Sequence, residues 1–325
     1  MKKSGIFVIF TICAILCYFT AVSAVKVFRS EWKLPQMFDP KKTNYRIVLI
    51  TQELETPFWD SVGEGALKQA KKEGVSLEVW GSYGHDQDDF LKKVEIAIES
   101  KVDGIIVQGL DTDEFKNLTK IKAAFYGIPI ITVANDVPME ESLRRTYVGS
   151  DQYLAGAMIA RQLLSDMGPA GSVILMCDSH KEYFQTQRLK GMQDVLKNYP
   201  NIRTIYSETS DTREQVIATT QDLLNRLPYV NAFIAVNSNI VGAMIQEIEK
   251  RSQIEPHYIY SFDDGPESLL LLKQGKLDGM IEQSPKMMGE KSVSVIMKWL
   301  RSETVPLDMK GYFTNIRILK AMDLR

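Results

Sequence analysis

Cysteine and histidine are scarce, with three of each in 325 residues. Cys13, Cys17 and Cys177 are too few and too scattered for a disulfide framework or a zinc knuckle. The histidines lie far apart, which excludes a histidine-rich metal centre. An excess of either charge is also missing: 39 Lys and Arg stand against 41 Asp and Glu, a net charge of −2. No basic run offsets that balance, so a nucleic-acid partner is not expected. Neither a phosphate loop nor a Gly-x-Ser-x-Gly nucleophile elbow occurs. Gly63-Glu64-Gly65 lacks the third glycine of a dinucleotide fingerprint, with Lys68 in its place, and falls inside an expected helix.

What is there is ordinary globular composition, 45% hydrophobic and 25% charged, in a chain long enough for about two domains. Lys2 and Lys3 precede an uncharged, mostly apolar run over residues 4–25. As a helix those residues would extend about 33 Å, enough to cross a hydrocarbon core of about 30 Å. Neither Cys13 nor Cys17 follows a small residue, so no lipoprotein site is expected. A retained membrane anchor over residues 1–25 is the first expectation. A secretory signal cleaved near Val22-Ser23-Ala24 is the second. Either puts the bulk of the chain outside the cytoplasm, with residues 26–44 as a polar connector.

From Tyr45 onward, short apolar runs alternate with amphipathic stretches. Strands are expected at 47–51, 77–80, 104–107 and 130–133, with helices at 59–72, 88–99 and 114–125 between them. The pattern repeats with strands at 173–177, 202–207, 232–236 and 258–262 and helices at 184–197, 214–224 and 241–250. Corresponding landmarks keep a near-constant offset, 126 from Ile47 to Val173 and 128 from Ile131 to Ile259. This predicts an α/β fold of two similar doubly wound parallel-sheet lobes. In open parallel sheets ligands sit beyond the carboxyl ends of the strands. There the sequence places Thr56, Phe58 and Trp59, then Gln108, Asn135 and Asp136, and in the second half Asn237, Asp263 and Gln283. Aromatic faces suit the C–H faces of a sugar ring, while amides and carboxylates suit vicinal hydroxyls. His85-Asp86-Gln87-Asp88-Asp89 lacks the glycine and distal glutamate of a calcium loop and reads as helix capping. No metal and no cofactor are expected.

Thr56-Pro57-Phe58-Trp59, Arg188-Leu189-Lys190-Gly191, Asn237, Phe262-Asp263 and Glu282-Gln283-Ser284-Pro285, in this order, resemble the periplasmic binding proteins of the ribose, galactose and xylose type. The resemblance runs from Tyr45 to the end. It implies a multi-strand hinge, with residues 45–149 plus 284–310 in one lobe and 150–283 plus 311–325 in the other. It also implies that Phe58, Trp59, Arg188, Asn237, Asp263 and Gln283 line a sugar site, with Asn135 and Asp136 beside them. Thr56 stands where ribose-type relatives carry Asn, and Ala134-Asn135 where they carry Asp-Arg, which shifts the expectation from ribose to sugars as a class. The implied function is that of a non-enzymatic receptor feeding an ABC-type permease or a histidine-kinase sensor. The alternative is an α/β enzyme using the same cleft on a sugar or nucleotide-like substrate.

Overall fold

Strands that are apolar on both faces need cover on both, and that requirement sets the architecture. The structure, a computed structural model, describes residues 13, 15–20 and 45–324, apart from 85, 180, 181, 211, 252–256 and 264. The chain divides into two units, Met1–Thr43 and Asn44–Arg325. In the first, residues 15–20 are helical and exposed. Among the described residues no helix is long and apolar enough to cross a membrane. The run expected to do so lies largely outside them.

The second unit begins with β1 (Arg46–Thr51), α1 (Pro57–Glu73), β2 (Ser76–Gly81), α2 (Gln87–Glu99) and β3 (Gly104–Gln108). It continues with α3 (Asp113–Asn117, extended by a π-helical turn, Leu118–Ala123), β4 (Ile130–Val133), α4 (Met139–Ser142) and β5 (Thr146–Gly149). Then follow α5 (Gln152–Met167), β6 (Gly171–Asp178), α6 (Tyr183–Leu196), β7 (Ile202–Thr209), α7 (Arg213–Arg226) and β8 (Ala232–Ala235). The last are α8 (Ser238–Arg251), β9 (Tyr258–Phe262), α9 (Pro266–Lys273), β10 (Gly279–Glu282), α10 (Pro285–Leu300), β11 (Tyr312–Phe313) and β12 (Arg317–Leu319). Two six-stranded sheets result, ordered β2-β1-β3-β4-β5-β11 and β7-β6-β8-β9-β10-β12. Every pairing is parallel except β10 with β12. The repeat seen as a constant sequence offset is thus a repeat of strand order.

In the first sheet Ile47, Leu49, Ile106 and Ile131 pack with α1 and α10, while Val48, Ile50, Ile105 and Val107 face α2 and the region after β3. In the second, Val173, Leu175 and Ile234 pack with α5 and α6, and Ile174, Phe233 and Ala235 with α7, α8 and α9. The chain passes between sheets after Gly149, near Ser284 and between Phe313 and Arg317. The third passage lies later than the expected boundary between residues 310 and 311. The reason is that Tyr312 and Phe313 add to the first sheet, opposite Val148 and Gly149. The acidic cluster after residue 85 does cap a helix: the Asp86 carboxylate accepts from the Asp89 amide at 3.0 Å at the start of α2.

Each lobe closes one face with a pair of helices whose backbones nearly touch. A Cβ on Gly65 of α1 would lie 2.0 Å from the Lys286 carbonyl, and one on Gly289 of α10 1.9 Å from that of Val62. In the second lobe a Cβ on Gly156 of α5 would lie 2.0 Å from the Arg188 carbonyl, and one on Gly191 of α6 2.0 Å from that of Tyr153. The second crossing therefore seats Arg188 directly. Gly156→Ala must push α6 outward, and overpacking of this kind costs about 1–3 kcal/mol. The expected result is a fall of several degrees in the thermal midpoint. Calorimetric scans of the parent and the Gly156→Ala variant measure it, and an unchanged midpoint would contradict the crossing geometry.

Candidate functional site

The carboxyl ends of β8, β9 and β10 meet around one buried cation. Arg188, in the second turn of α6, is only 2% exposed. Its Nε donates to Gln152 Oε1 at 2.8 Å, and Nη1 donates to the Val236 carbonyl at 2.8 Å and to Asp263 Oδ2 at 3.2 Å. Nη2 donates to Asp263 Oδ1 at 3.0 Å. Among the described residues four of the five N–H groups of the guanidinium have acceptors, leaving one on Nη2. The guanidinium also lies between two aromatic rings, 4.3 Å from the centroid of Phe262 and 4.8 Å from that of Phe184.

Asp263 reaches this position through a left-handed backbone, φ 68°, immediately after β9. Ala134, immediately after β4 in the other lobe, has φ 63°. Left-handed residues other than glycine cost about 1–2 kcal/mol, so two at equivalent strand ends mark places where the chain must turn over the sheet. Gln283, just past β10, donates its amide N–H to Asp263 Oδ1 and accepts the Ser150 hydroxyl at 2.5 Å. Arg188, Asp263 and Gln283 therefore form one hydrogen-bonded network. Asn237 lies beside it after β8, and its Oδ1 accepts from the Asn239 amide at the start of α8.

The first lobe holds its expected residues differently. Thr56 caps α1, accepting from the Trp59 amide at 3.3 Å, with Pro57 in the first turn. Trp59 is 4% exposed and belongs to the core of that lobe, whereas Phe58 is half-buried at its edge. The two rings meet edge to face with centroids 5.5 Å apart. Asp136 is bound to Arg144, with Nη2 to Oδ2 at 2.6 Å, and accepts the Thr132 hydroxyl at 2.6 Å. Burial nevertheless keeps its carboxyl above the usual range. Gln108 ties the ends of β1 and β3, accepting from the Thr51 hydroxyl and the Gln52 amide, both at 2.9 Å. Asn135 crosses to the other lobe, its Nδ2 donating to Glu182 Oε2 at 3.1 Å.

Sequence reasoning missed the start of α6. Glu182 and Tyr183 lie toward first-lobe groups, and Phe184 lies against Arg188. Burial, and then the charge of Asp136, raises the Tyr183 hydroxyl. Burial, followed by the carboxylates of Glu53, Asp178 and Asp111, pushes the Glu182 carboxyl up to about 7. Phe184, four residues before Arg188, was the available signal, since one helical turn brings residues four apart together.

The chain matches the periplasmic binding protein domain over residues 47–304. It is 25% identical over 270 residues to the ribose import binding protein of Salmonella typhimurium, covering 81% of this chain and 89% of the relative. Among solved structures it is similar to GanP, a glucose-galactose binding protein from Geobacillus stearothermophilus. That likeness has 30% identity and a TM-score of 0.79, over 86% of this chain and 98% of that one. A mutant of the XylFII–LytSN complex is 25% identical with a TM-score of 0.67, over 87% of this chain and 100% of that one.

A raised carboxyl pKa makes stability depend on pH in a defined direction. The unfolded Glu182 ionises near its ordinary value, about 4.3. The folded one keeps its proton to about 7. Across that window the folded state binds the extra proton, so its stability falls as pH rises. Thermal midpoints taken between pH 4.5 and 7.5 should decline more in the parent than in Glu182→Gln. Parallel curves would show that Glu182 titrates normally.

Proposed function

The chain belongs to the periplasmic binding protein domain family, and from that membership we propose that it is an extracytoplasmic receptor closing two lobes around a sugar or sugar-like ligand. Its relatives are named for the sugars they bind, and the chain is a binding protein rather than an enzyme. The observation that carries the ligand class is the Arg188–Asp263–Gln283 network. It offers a carboxylate, an amide and one remaining guanidinium N–H within reach of each other, beside the rings of Phe184 and Phe262. Vicinal hydroxyls can each donate to the carboxylate and accept from an N–H. A ligand lacking one would leave a desolvated group unpaired. Asn237 adds a second amide from the same side, while Phe58 and Asn135 contribute from the first lobe, with Trp59 and the Arg144-paired Asp136 backing them. Closure is stabilised because each lobe's contacts are complete only when both engage the ligand.

The residues that match the family, 47–304, form the binding fold, and the proposed output passes through another chain. The ribose import relatives support delivery to an ABC-type permease. The XylFII–LytSN complex supports coupling to a partner, which for this chain would be a histidine-kinase sensor. The apolar run at residues 4–25 supports retention at the membrane, which suits either partner. Alkaline carbonate extraction of cells expressing the full chain should leave it in the membrane pellet. A soluble product starting near Val25 would instead identify a cleaved signal.

The ligand reading is tested by thermal shift against D-ribose, D-glucose, D-galactose, pentitols and inositols. A ligand at a hundred times its dissociation constant adds about 2.7 kcal/mol, which is readily measured. Asp263→Asn keeps the shape of the carboxylate but loses its charge-assisted bonds, worth about 1.5–3 kcal/mol each, so affinity should fall at least tenfold. Asp263→Ala should lose stability as well, because it strands the buried Arg188. Full-strength binding by Asp263→Asn would move the site elsewhere.

A further inference from the structure

Ser150 follows β5 at the first passage between the lobes and is 1% exposed. Its hydroxyl lies 2.5 Å from Gln283 Oε1, and Gln283 stands at the second passage, one residue before Ser284. One hydrogen bond therefore joins two of the three chain passages and ends in the ligand network. Its polarity is dictated from the far end. Arg188 can only donate, and an ionised Asp263 can only accept. Gln283 must then present its NH2 group to Asp263 and its oxygen to Ser150, which leaves Ser150 as the donor. The serine backbone is held equally firmly. The Tyr147 hydroxyl lies 3.0 Å from the Ser150 carbonyl and 2.9 Å from that of Ala134, the left-handed residue at the end of β4. Burial raises that hydroxyl far beyond its ordinary range, so it stays a donor. Ser150 is thus fixed to the first lobe through its backbone and to the second through its side chain.

We propose that Ser150 is a positioning residue for the cleft: its hydroxyl holds the Gln283 amide against Asp263 and couples the occupancy of that carboxylate to the passages between the lobes. This rests on the reading of the cleft as a sugar site. A ligand hydroxyl that donates to Asp263 competes with the Gln283 N–H, and any movement of the amide is felt at Ser150. Without the serine hydroxyl, the amide oxygen loses one donor in a half-buried position and the hold of the side chain on the carboxylate weakens.

The test uses the full chain labelled with nitrogen-15 in its glutamine amides, without ligand. The Gln283 signal is identified by its absence in Gln283→Ala. In Ser150→Ala that signal should move or broaden, and in Ser150→Thr, which keeps the hydroxyl, it should stay near the parent position. An amide signal unmoved by Ser150→Ala would overturn the proposal. A second measurement reads affinity for D-ribose, D-glucose and D-galactose by calorimetry. Ser150→Ala should weaken binding by roughly three- to tenfold in the parent, as expected for one lost hydrogen bond, and less than about twofold in Gln283→Ala. Equal losses in both backgrounds would make Ser150 merely structural and also overturn the proposal. The amide signal needs no sugar, so a failure of all three sugars to bind would count against the sugar reading while the signal still decides the role of Ser150.

Discussion

A guanidinium taken out of water costs several kcal/mol unless its N–H groups find acceptors, and the second lobe is organised around meeting that demand for Arg188. Three elements supply the acceptors: Gln152 from α5, the Val236 carbonyl after β8, and Asp263 after β9. Asp263 Oδ1 also accepts from Gln283, whose amide oxygen in turn accepts from Ser150. Each requirement is local, yet together they draw the ends of three strands and two interlobe passages to one point. The rings of Phe184 and Phe262 complete the cover, so the cation is surrounded by planar groups that fit its shape.

The two lobes solve the same packing problem with the same device. In each, a pair of glycines lets two helices cross at backbone contact, Gly65 with Gly289 in the first lobe and Gly156 with Gly191 in the second. They use the crossing differently. In the second lobe the approached carbonyl belongs to Arg188, so helix packing and site geometry are a single constraint. In the first it belongs to Lys286, just beyond the passage at Ser284. The glycine of Arg188-Leu189-Lys190-Gly191 is therefore explained by backbone approach rather than by contact with a ligand.

Much of this was legible in the sequence, because strands buried on both faces are continuous apolar runs. Strands such as 130–133 and 258–262 lie where the periodicity put them. The helix Gln152–Met167 was harder to read: Ala155, Gly156, Ala157 and Ala160 are all small, and Gly156 and Ala157 lie where α6 crosses at backbone contact. β11 and β12 span two and three residues, too short to carry a period, and only their pairing shows where the chain changes lobes. At the site, Arg188, Asp263 and Gln283 were identified from their motifs. Their partners Ser150, Gln152 and Phe184 were not, since a serine or glutamine at a lobe boundary carries no spacing signal. For Trp59 and Asp136 residue type pointed to the cleft, and the structure adds what sequence did not show, the core packing of one and the Arg144 partner of the other.

The bond from Asn135 to Glu182 joins the lobes using protein groups alone. If the lobes close as proposed, this contact favours the form in which they are joined before any ligand binds. Any partner that recognises the closed form therefore meets a resting background set by that contact. A sugar can raise the signal only by its preference for closed over open, so the background and the ceiling together define the dynamic range. Loss of the proton from Glu182 changes the charge at one end of this bond, so the background is a property of the surrounding acidity as well as of the sequence.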